Sequence, residues 1–174
     1  LPFLFSFFSL YLIPFLLLEI KNFGVIKIFK KYYLSFFSCF FVLLVLIFLN
    51  FFDFLKNLSF SGGAFLKMDY LLFKKTLIFF ALMSALGFSM LYQIIKQNIK
   101  FNFIIFISIM IFCFPKFILQ EYYEPLVIFL FFILFKHNLN FIFKKNINFV
   151  HFTVISYFIL YFCGSFYYRY FVFI

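Results

Sequence analysis

LSFFSCFFVLLVLIFLNFF, residues 34–52, decides the fold. No charged side chain interrupts it, and at about 1.5 Å of rise per residue a helix of this length crosses the roughly 30 Å hydrocarbon layer of a bilayer. Composition agrees: the chain is 68% hydrophobic and 11% charged, whereas soluble domains sit near half apolar and a quarter charged. Apolar surface on that scale calls for lipid as the solvent. The expected fold class is all-α, a polytopic transmembrane helix bundle of about six spans, with residues 1–174 forming a single bundle.

Outward from this stretch, residues 19–33 carry Lys21, Lys27, Lys30 and Lys31 against Glu19 and read as a basic interfacial connection. Before it, the uncharged residues 1–18 form a first span, kinked at Pro14, since membrane helices tolerate proline where neighbours re-satisfy the freed carbonyl. The chain opens on Leu1 directly into this span, which suggests the C-terminal fragment of a longer chain; an unusual initiation codon is the alternative. After residue 52, Ser61-Gly62-Gly63 gives permissive backbone for a turn. Phe65, Met68 and Leu72 follow at i, i+3, i+7 with Lys67 and Lys74 on another face, the pattern of a short amphipathic helix lying at the interface.

Residues 76–95 make a third span in which Ala81, Ser84, Ala85 and Gly87 allow another helix to approach closely. KQNIKFN then turns the chain. Residues 103–114 and 126–135 are short apolar runs on either side of PKFILQEYYEP, residues 115–125, and together form a tight helical hairpin. Residues 136–148 are a further basic connection, and residues 149–168 a sixth span with Thr153, Ser156, Leu160 and Gly164 along one side and Arg169 at its far end.

Charge orients this bundle. The first, third and fifth connections hold Lys21, Lys27, Lys30, Lys31, Lys96, Lys100, Lys136, Lys144 and Lys145, opposed only by Glu19. By the positive-inside rule they face the cytoplasm. Asp53, Asp69, Glu121, Glu124 and Arg169 then share the outer side, although Lys74 and Lys75 run against that assignment.

The net charge of +10 does not indicate a nucleic-acid partner, because the lysines fall between hydrophobic runs and not along one face. The 40 Phe, no Trp and a single arginine are what AT-rich codons produce, so the aromatic excess reads as lipid-compatible filler. Cys39, Cys113 and Cys163 are far apart inside apolar runs and match neither a metal site nor a disulfide framework. His137 and His151 flank a lysine-rich connection with no acid or cysteine beside them. No metal and no cofactor is implied.

The polar positions that could touch a ligand are few. Glu121, Tyr123 and Glu124 combine charge and aromatic faces at the membrane surface, which could bind a sugar phosphate, a lipid head group or a metal, or serve as a plain interfacial anchor. Lys67 and Asp69, following the glycine pair, could hold a phosphate together with backbone amides, or simply flank a turn. Arg169 could grip an anion or snorkel to the interface. Asn57-Leu58-Ser59 fits a glycosylation acceptor, a triplet common by chance. No residue pattern assigns a catalytic group.

Gly62, Gly63, Phe65 and Lys67, with a helix ending at Pro115 and the turn Tyr123-Glu124-Pro125 before a short apolar helix, resemble the C-terminal part of poorly characterised polytopic bacterial inner-membrane glycosyltransferase-like proteins. In that family an early extracytoplasmic loop carries the catalytic acid, and nothing here matches such a loop; Glu124 also stands where the family pattern expects Asp. The resemblance implies a non-catalytic, carrier-side part of an enzyme that uses a polyprenyl-phosphate-linked sugar, missing its N-terminal region, with Lys67, Asp69, Glu121, Tyr123, Glu124 and Arg169 as substrate contacts. The rival expectation is a small hydrophobic subunit of a respiratory or other membrane complex, held by partner subunits in an organellar inner membrane. Antiporter-like respiratory subunits place Lys and Glu at mid-membrane, and the second, third and sixth spans here carry no central charge.

Overall fold

The computed structural model describes residues 2–51, 64–73, 76–112, 147–167 and 170. Every regular element among these is a helix: α1 Pro2–Phe23, α2 Val25–Phe48, α3 Ala64–Phe73, α4 Ile78–Gln97, α5 Ile99–Phe112 and α6 Ile147–Tyr167. Four of them, α1, α2, α4 and α6, are long and apolar enough to cross a membrane. The all-α expectation therefore holds. The hairpin around residues 115–125, the fifth expected span and the fifth connection lie outside the described residues.

The first basic connection is condensed to one residue. Residues 19–23 extend α1 and residues 25–33 begin α2, because Glu and Lys are good helix formers whose long stems need no loop to reach water. Gly24 alone leaves the helical region, at φ +81°, where an L side chain is strained. Its N–H still donates to the Ile20 carbonyl at 2.8 Å, closing α1. Pro2 occupies the first helical position, where its missing donor costs nothing, and α1 continues through Pro14.

α2 ends where Asn50 takes a positive φ of 56°. The Phe51 N–H donates to the Leu46 carbonyl at 3.0 Å and the Asn50 N–H to the Ile47 carbonyl at 2.9 Å, the paired bonds of a Schellman stop. Between α4 and α5, the expected seven-residue turn is reduced to Asn98.

The chain divides into two compact units: Leu1–Leu12 with Phe29–His137, and Ile13–Ile28 with Asn138–Ile174. In the first unit, Leu43, Leu66, Leu77, Phe80, Ala81 and Ala85 form a buried cluster on which Phe3 of α1 and Phe36, Phe40 and Ile47 of α2 also pack. The small residues of α4 do what their size permits. A Cβ on Gly87 would collide with the Phe5 carbonyl and lie 2.8 Å from the Ser9 nitrogen, so α1 and α4 meet backbone to backbone. Phe3 against Phe80 and Phe5 against Phe88, each with ring centroids 5.2 Å apart, set the two helices running parallel there.

α1 and α2 differ in surroundings. Every side chain from Leu4 to Leu12 is buried, and Ser6 and Ser9 satisfy their hydroxyls on carbonyls three residues back at 2.8 Å. α2 turns Phe29, Tyr33, Phe37, Phe41 and Phe48 outward, the last 87% exposed. In the second unit, Lys21 Nζ stands 3.0 Å over the Phe149 ring, bringing the start of α6 to the end of α1. The expected side of α6 is open among the described residues, with Leu160 72% exposed and nothing within 4 Å of a Cβ on Gly164.

Candidate functional site

Four polar side chains of the first unit join α4 to its neighbours. Its N-terminus begins at Leu77, which adopts φ 64°, ψ 3° and has no side-chain cap of its own. A left-handed conformation costs a bulky L residue about 1–2 kcal/mol. Full burial of the Leu77 side chain in the cluster returns roughly 1.5–3 kcal/mol, so packing decides the conformation.

The backbone donors exposed at that end are met by Asp69 of α3. Its Oδ2 accepts the Leu77 N–H at 2.8 Å, and its Oδ1 accepts the Phe79 N–H at 2.9 Å and the Phe80 N–H at 3.4 Å. The carboxylate is completely buried. Its negative charge faces the positive end of the α4 dipole, and these three partners are amides that would otherwise lack acceptors in an apolar surround.

This demand sets the inner face of α3. The helix forms as expected, but Phe65, Leu66 and Asp69 are its buried side, whereas Met68 and Leu72 are exposed. Asp69 can reach α4 only from the inner face, and its neighbours at i−3 and i−4 are carried inward with it. Nothing local in AFLKMDYLLF announces this. The signal that existed was an acid eight to eleven residues ahead of a strongly apolar helix start.

The other end of α4 is closed from α5. The buried Asn102 Nδ2 donates to the Ile94 carbonyl at 2.8 Å, one of the carbonyls a helix leaves without an internal partner. Gln93 Nε2 donates to the Lys31 carbonyl of α2 at 2.7 Å, and Ser84 Oγ to the Pro2 carbonyl of α1 at 2.9 Å. Four neighbouring helices thus hold α4 through Ser84, Gln93, Asp69 and Asn102. Sequence reading missed Asn102 because it sits in KQNIKFN, which reads as an ordinary polar turn, and Gln93 because it is a lone polar side chain near the end of the apolar stretch 76–95.

Of the residues expected to contact substrate, Lys67 and Asp69 lie on α3, with Lys67 half-buried and Asp69 directed at α4. Glu121, Tyr123, Glu124 and Arg169 lie outside the described residues, as do Gly62, Gly63, Pro115 and Pro125. Among the described residues of the first unit, Lys67 is the one lysine on the same helix as the acid, and the other four lie away from it. Asp69 marks the N-terminal end of α4, while Lys96 and the Gln93–Lys31 contact mark its C-terminal end, about 30 Å away for a helix of 20 residues.

These features define an all-helical protein in which Asp69, Ser84, Gln93 and Asn102 join apolar helices to one another. The chain matches no protein-family model, no curated protein and no solved structure.

Proposed function

We propose that this chain is a multi-pass integral membrane protein acting as a helical support, the non-catalytic, carrier-side part of a glycosyltransferase-like envelope protein that uses a polyprenyl-phosphate-linked sugar. The observation that carries the support role is Asp69: the one acid buried in the first unit among the described residues is engaged by three amides of α4. Exposed apolar faces on α2 and α6 favour lipid around the bundle. Lys67, Glu121, Tyr123, Glu124 and Arg169 are the outer-face contacts for the sugar phosphate in this reading, with Asp69 closing the start of α4.

Two measurements test it in sequence. Resistance of the expressed chain to alkaline carbonate extraction tests membrane integration, and release into the supernatant defeats the whole reading. Photocrosslinking with a polyprenyl-phosphate sugar analogue in isolated membranes then tests the carrier role: labelling within residues 115–125 that Glu121→Ala with Glu124→Ala abolishes is expected. Absent labelling in a carbonate-resistant chain leaves the bundle and removes the transferase reading, in favour of a subunit of a membrane complex.

A further inference from the structure

The C-terminal end of α4 gathers four lysines from three helices. Lys30 and Lys31 lie near the start of α2, Lys96 in the last turn of α4 and Lys100 in the first turn of α5, and all four are exposed. Hydrogen bonds fix the elements that carry them. Gln93 to the Lys31 carbonyl locks α2 to α4 one turn before Lys96, and Asn102 to the Ile94 carbonyl locks α5 to α4 two residues after Lys100. The only acid among the described residues of this unit, Asp69, is at the opposite end of α4.

Tyr33 and Tyr92, both about half exposed, stand beside these lysines. Tyrosine with an apolar ring and a polar tip settles at the level of lipid head groups, which places the ammonium groups at phosphate depth. Basic recesses between spanning helices on the cytoplasmic side suit anionic head groups. We propose that Lys30, Lys31, Lys96 and Lys100 form a binding site for anionic phospholipid head groups between α2, α4 and α5. The proposal rests on the membrane-integral reading above and is independent of the transferase role.

The test uses the whole chain reconstituted in phosphatidylcholine nanodiscs, with spin-labelled phosphatidylglycerol and phosphatidylcholine compared for association with the protein. The anionic label is expected to be preferred about fivefold, the scale of one lysine's attraction to an anionic surface. That preference falls to about one in the Lys30→Gln, Lys31→Gln, Lys96→Gln, Lys100→Gln variant and persists when the same four positions carry Arg. Equal association of both labels with the inserted wild-type chain, or an unchanged preference in the Gln variant with native helical circular dichroism, overturns the site. Loss of the preference in millimolar inorganic phosphate would make the ligand a free anion and overturn the lipid assignment. A chain that does not insert into the nanodisc overturns the membrane reading instead.

Discussion

The two ends of α4 solve one problem with different chemistry. At its start a buried carboxylate from α3 accepts three N–H groups; at its finish a buried neutral amide from α5 donates to one carbonyl. The difference follows from what each end lacks. A helix start exposes donors and partial positive charge, which one anion can answer several times over, whereas a helix finish exposes acceptors and tolerates a single donor because a carbonyl has a second lone pair. The N-terminal end is therefore the brittle one.

Removing the anion should have the largest effect. Asp69→Ala leaves buried amides without acceptors, at a cost of about 3–5 kcal/mol if two or three remain unmet; reversible unfolding in sodium dodecyl sulfate followed by circular dichroism measures it. Asp69→Asn keeps the shape and one carbonyl oxygen and should cost about half as much. Equal losses for the two variants would mean that the charge and the second acceptor oxygen, and not the shape, close this end; a near-neutral Asp69→Asn would mean that geometry does. At the far end, Asn102→Ala should cost about 1–2 kcal/mol by the same measurement; a loss as large as that of Asp69→Ala would erase the proposed asymmetry. Gln93→Ala, at an exposed contact, should cost no more than about 0.5–1 kcal/mol, with faster hydrogen exchange confined to the first turns of α2 and the last turn of α4.

The sequence reading found the helices where length and apolar content suffice, as in residues 34–52 and 76–95, and it found the close approach of α4 from the sizes of Ala81, Ser84, Ala85 and Gly87. Both are local properties. The inner face of α3 depends on Asp69 meeting amides eight to eleven residues away, and the joint at Gly24 depends on lysines that serve equally well in a helix or a loop. The contrast between α1 and α2 was not legible either. To an apolar side chain, lipid and protein are similar surroundings, so an enclosed helix and an outward-facing one carry the same kind of sequence.

That α1 is enclosed along Leu4 to Leu12 has a consequence for the order of assembly. α4, which meets it backbone to backbone at Gly87, is synthesised more than fifty residues later. In the interval the face of α1 that α4 will cover stays against other surroundings, and lipid is one that the uncharged stretch Leu4 to Leu12 allows. Gly87 is then the keyhole of that step: a larger side chain there would leave α1 inserted and α4 unable to dock.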